Sequence, residues 1–142
     1  MRLRLPVTFL GLGLAAAAGA AVALYAGEND DDRVKRLPGI EILEKVDGKV
    51  STASAAVITI EPGQRGKPHR HTGPVLGYVI EGEFLFAIND EPERVLKAGE
   101  TFYEPSGAIH RVSGNAGKTR TRIVAWVVHP RELESTVPVD SK

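Results

Sequence analysis

Two regimes of hydrophobic pattern divide the chain. The stretch from Val7 to Ala26 carries no charge and follows a short basic start at Arg2 and Arg4. Beyond Pro38 the apolar positions come in short bursts rich in Val, Ile, Phe and Tyr. Turn-forming pairs such as Asp47-Gly48, Gly73-Pro74, Glu81-Gly82, Asn89-Asp90 and Ala98-Gly99 break them up. Bursts of that length, so punctuated, read as β-strands. They predict strands over 41–45, 53–60, 77–80, 83–88, 94–96, 101–103, 109–113 and 123–128, with no amphipathic helix among them. Many short strands at close spacing point to an all-β sandwich or barrel.

The apolar start has a different meaning. Basic residues, an uncharged run and the small-x-small sequence Ala21-Val22-Ala23 make a secretory leader. The run also reaches the ~20 residues that a helix needs to cross a bilayer, so an uncleaved anchor fits equally. In either case the basic start stays inside and the remainder is sent across. Residues 1–27 are therefore expected to be a signal peptide or membrane anchor, with an apolar helix over 7–26. Residues 28–37, with the hydrophilic Glu28-Asn29-Asp30-Asp31-Asp32-Arg33, read as a linker, 38–135 as the β domain and 136–142 as a tail. The expected location is exported: periplasmic, or anchored in the inner membrane facing the periplasm.

Charge and composition then remove several function classes. The whole chain has 18 Lys+Arg and 18 Asp+Glu. The first 27 residues hold two Arg and no acid, which leaves 16 basic against 18 acidic groups in the rest. No basic patch large enough to track a phosphate backbone appears, so nucleic-acid binding is not expected. With no cysteine, disulfides, thiolate catalysis and Cys-ligated zinc are excluded as well. No Gly-rich phosphate loop or Ser-His-Asp set appears.

The remaining chemistry lies in three histidines. His69 and His71 are two apart, and strand alternation sends both imidazoles to one face. A third, His110, follows Gly107 in a turn-rich segment. Three imidazoles around a divalent ion leave coordination positions open, as a reactive or ligand-binding site requires. The expected metal ligands are thus His69, His71 and His110, holding Fe(II), Mn(II), Ni(II) or Zn(II).

These residues resemble the cupin superfamily. Gly63, His69, His71 and Gly82 are similar to its first motif, which reads Gly, five residues, His-x-His, three or four residues, Glu, six residues, Gly. Gly99, Pro105, Gly107 and His110 are similar to the second, which ends in an Asn separated from the His by three residues. The resemblance implies a double-stranded β-helix, or jelly-roll barrel, with a metal in its mouth. It implies a small-molecule dioxygenase or isomerase. Alternatives are a non-catalytic periplasmic module that binds a small ligand or metal, and a barrel with an empty site. It also implies a homodimer. Two positions depart from the pattern. Val75 stands where the first motif has its glutamate, and Gly114 stands where the second has its asparagine, with Asn115 one place later. Without that carboxylate the ion keeps its full charge on three neutral imidazoles, which favours an anionic or chelating ligand.

Other residues are expected to shape the site or the core. Glu104 is the nearest carboxylate to the His110 turn and a weak catalytic candidate, as a partner orienting an imidazole or as a proton shuttle. Tyr78, Phe84, Phe86, Phe102, Tyr103 and Trp126 are expected to be mostly core. Gly63, Gly82, Gly99 and Gly107 read as turn-makers, and Asn115 as structural. Arg70 points away from the histidines, Arg120 and Arg122 share a solvated face, and His129, just before Pro130, is expected at the surface.

Overall fold

The computed structural model describes residues 33–46 and 48–139. The expected leader or anchor, its apolar helix, residues 28–32 of the linker and the last three residues lie outside them. Every described element is a strand. A six-stranded antiparallel sheet has the order β1 (Val34–Arg36), β3 (Lys49–Ile60), β10 (Thr121–Pro130), β5 (Val75–Glu81), β8 (Thr101–Glu104). Its remaining strand, β2 (Ile40–Val46), also pairs with β3. The second sheet has five strands in the order β11 (Thr136–Pro138), β4 (His69–His71), β9 (Ile109–Asn115), β6 (Glu83–Ile88), β7 (Arg94–Lys97).

The sheets face each other across one core. Val75, Val79, Phe102, Ile123 and Val127 from the first meet Phe84, Phe86, Ile88 and Leu96 from the second. The β5 sequence shows how the pattern does this. Val75, Gly77 and Val79 point inward and are buried, while Leu76, Tyr78 and Ile80 point out. Burying one side of each strand supplies the main drive for pairing the sheets, at about 25 cal/mol per Å² of apolar surface. Gly77 leaves room for its cross-strand partner: a Cβ there would lie 2.0 Å from the Phe102 ring. The four turn-making glycines all have positive φ, and Gly82, at +82° between β5 and β6, joins the two sheets.

The differences from the sequence reading lie mainly at strand ends. Seven of the eight predicted strands extend beyond their expected bounds, by one to four residues at an end, so that β3 begins at Lys49, β8 reaches Glu104, β9 reaches Asn115 and β10 reaches Pro130. The linker region contains β1, which pairs with β3. The tail region contains β11, which pairs with β4. Strands of three residues carry too little periodic pattern to be seen before their partners are known. The aromatic set divides. Phe84, Phe86 and Phe102 are core, whereas Tyr78, Tyr103 and Trp126 are exposed on the outer face of the six-stranded sheet. Asn115 is structural: it donates to Ile60 O and Thr119 O and accepts from Gly117 N.

Candidate metal centre

All three histidines come from the five-stranded sheet. In β4, His69 and His71 turn inward and Arg70 outward, as alternation requires. The neighbouring β9 places His110 directly opposite His69 in register. Cross-strand partners on one face sit close together, and the rings of His69 and His110 have centroids 5.0 Å apart. Those of His69 and His71 are 4.8 Å apart. One ligand atom from each of the three can be chosen so that all lie within 4.8 Å of one another.

The far sides of the first two rings determine what the near sides offer. His69 Nδ1 lies 2.9 Å from Lys67 O, and a carbonyl only accepts, so this nitrogen carries the proton. His71 Nδ1 lies 3.2 Å from Ser135 O and 3.1 Å from Thr136 Oγ1, and it is protonated for the same reason. In a neutral ring with that tautomer Nε2 carries the lone pair, and the two Nε2 atoms stand 3.1 Å apart. Between neutral rings in these tautomers that approach is no hydrogen bond. It directs two lone pairs at a common space, an arrangement that a cation relieves. His110 Nε2 is also buried without a hydrogen-bond partner. The donor set therefore fits a divalent metal.

Electrostatics agrees. Burial, and after it the charge of His69, pushes His71 down to about 4. Burial, then His69 and His71, pushes His110 down to about 3. Both rings are neutral at pH 7, the state in which imidazole binds a metal.

Glu104 faces the histidines from the other sheet. It is 2% exposed. Its Oε1 is 3.1 Å from His110 Nδ1, and its Oε2 is 3.8 Å from His71 Nε2. Burial alone pushes its carboxyl up to about 7. With His110 neutral, the pair is a contact between a neutral ring and a carboxyl group that shares a proton with solvent near neutrality, not an ion pair. Phe86 closes the inner side of the site, with its ring 5.1 Å from that of His110. His69 and His71 are only partly buried, and this leaves their side open to approach. A separate cleft of about 760 Å³ along β5 and β8, lined by Leu76, Tyr78, Tyr103 and Trp126 among others, contains none of the histidines.

The structure thus brings together the three expected ligands and Glu104. It keeps Arg70 out, and it ties Arg120 to Glu81 at 2.9 Å. His129 is a correction. It is 7% exposed rather than at the surface, because the longer β10 carries it inward on the same face as Val127. Its Nδ1 donates to Pro130 O and its Nε2 accepts from Ser54 Oγ at 2.8 Å, so it belongs to the frame and not to the centre. The sequence reading missed the support that Ser135 and Thr136 give His71, and no local signal marked it.

Among known proteins, the family described as Cupin domain matches residues 56–128. Over 77 residues the chain is 35% identical to the oxalate oxidase GF-3.8 of Triticum aestivum. The match covers 49% of this chain and 34% of that one, so the chain spans about a third of that relative's length. A solved structure of oxalate oxidase in complex with the substrate analogue glycolate gives a TM-score of 0.54 at 30% identity. It covers 61% of this chain and 46% of that one. A cupin-like protein from Thermotoga maritima gives 0.56 at 22% identity, over 63% of this chain and 65% of that one, and so bears on the fold alone. With two antiparallel sheets and the family match across half its length, the chain belongs to the cupin domain family.

Proposed function

We propose that this chain is a divalent-metal cupin enzyme that acts on small carboxylates of the oxalate and glycolate class. The observation that carries the reading is the pair of Nε2 atoms 3.1 Å apart, with His110 completing the trio. The substrate class is supported by the 35% identity to an oxalate oxidase and the 30% identity to one solved with glycolate. His69, His71 and His110 would hold Fe(II), Mn(II), Ni(II) or Zn(II). Such an ion supplies a Lewis-acid position for a carboxylate or hydroxyl oxygen.

The protein's own groups do the remaining work. Lys67 O and Ser135 O hold the first two rings in the tautomer that presents Nε2. Phe84 and Phe86 pack around His110 and exclude water from that side. Glu104, held near neutrality by burial, can take or return a proton next to the site. A second reading, a module that binds such an anion without turning it over, is favoured by Val75 in place of the motif's carboxylate. Export, read from the charge-free run before residue 27, belongs to the proposal as well. Fractionating cells that express the full chain checks it, and a wholly cytosolic protein overturns it.

The deciding experiment has two stages. Elemental analysis of the purified full chain should give close to one divalent ion per chain, and His71→Ala should lose most of it. Equal metal in both would remove the ligand assignment. The loaded protein is then offered oxalate and glycolate, with calorimetry and oxygen uptake as readouts. Turnover supports the enzyme, binding without turnover supports the second reading, and neither overturns the substrate class.

A further inference from the structure

The carboxylate missing from the first motif has a counterpart on another strand. Val75 is 1% exposed and sits in the core. Its register partner across β5 and β8 is Glu104, and both side chains turn inward. Paired residues on one face of a sheet have Cβ atoms about 4.5–5.5 Å apart. A carboxylate rooted at 104 therefore reaches the space that one rooted at 75 would fill.

The position of that carboxylate is unusual. Glu104 Oε2 is fully buried and has no hydrogen-bond partner. It lies 3.8 Å from His71 Nε2, one of the two lone pairs that face the common space. Burying a carboxyl oxygen without a partner is costly, so a purely structural glutamate is a poor explanation for it. Valine at 104 would pack in this core without that cost.

We propose that Glu104 is a fourth metal ligand, the motif's carboxylate moved from β5 to the adjacent β8. This rests on the three-histidine metal reading. It lowers the net charge of the loaded site from +2 to +1, which suits a singly charged hydroxycarboxylate better than three imidazoles alone would.

The test uses the full chain and Mn(II), with free ion followed by electron paramagnetic resonance. Glu104→Gln is expected to weaken Mn(II) binding by at least about tenfold, the size of effect that losing an important group at a metal site produces. The exchange variant Val75→Glu/Glu104→Val, which conserves core volume, is expected to recover most of it. Loading with Co(II) separates a ligand from a group that merely positions His110: the visible d–d bands must change in Glu104→Gln if the carboxylate leaves the ion. Unchanged bands, or wild-type Mn(II) affinity in Glu104→Gln while His71→Ala binds none, overturn the fourth ligand and leave the histidine site standing. A wild-type chain that binds neither ion overturns both. Circular dichroism confirms that each variant is folded, and Glu104→Gln, which keeps size and polarity, decides the matter if the exchange variant is not.

Discussion

At residue scale the same burial that suits His71 and His110 to a metal makes the metal-free protein sensitive to acid. Their folded values are about 4 and about 3, against 6.5 in the unfolded chain. Between pH 6.5 and 4 the unfolded chain takes up protons at both sites and the folded chain does not, so stability falls on acidification. Glu104 works in the opposite direction. Folded, it keeps its proton up to about 7, while unfolded it loses it above 4.5, so its contribution declines as pH rises through that window. Two imidazoles outweigh one carboxyl below 6.5. From these three groups, stability in the presence of chelator is expected to peak near pH 6.5 and to fall by roughly 1.4 kcal/mol per pH unit below it. Urea titrations from pH 5 to 8 measure this, and a flat acid limb would show that neither ring is held neutral. His129 provides the contrast. His129→Ala leaves Ser54 without its acceptor and is expected to cost about 1–3 kcal/mol while metal content stays at the wild-type level. Loss of metal in that variant would return His129 to the site.

At the scale of elements, the smallest strands matter most to the centre. β4 has three residues and is held between β9 and β11. On one side it gains the register that sets His69 against His110. On the other it gains the β11 end that holds the His71 tautomer through Ser135 O and Thr136 Oγ1. Truncation after Glu134 removes both contacts and leaves β4 as an edge strand. Zn(II) affinity, measured by competition with a chelating dye, is expected to drop about 10- to 100-fold, as losses of such supporting partners do. Because β11 lies outside the main core, the melting temperature should change far less. An unchanged affinity would show that β9 alone orders the pair. β8 carries the other decisive detail. One more residue of strand than the pattern predicted places Glu104 on the inner face, two positions after Phe102.

At the scale of the whole molecule, the site lies where the two sheets close on each other, and it shares their core. Phe84 and Phe86 stack with Phe102, which reaches across from the six-stranded sheet, and both rings also border His110. Phe84→Ala is expected to destabilise the fold by about 3–5 kcal/mol through lost burial and the cavity it leaves. It should also loosen His110, so the melting temperature and metal affinity fall together. A fall in stability alone would mean that β9 holds His110 without help from the core. The outer face of the six-stranded sheet plays no part in this. There Trp126, Leu76 and Tyr103 lie side by side in register, exposed and away from the histidines.

What the amino-acid order determined by itself was the periodic part: most strands, the turn glycines, the inward pairing of His69 with His71, and a motif spacing that singled out His110 as the third candidate ligand. Those properties are local, since alternation and turn chemistry act over a few residues. Only the tertiary structure could decide which strands are neighbours. That choice set His110 opposite His69, brought Ser135 back across the chain to His71, carried His129 into the interior and put Glu104 beside Val75. Each of these depends on hydrogen-bonded register between segments far apart in sequence, and no periodicity within a single segment records it.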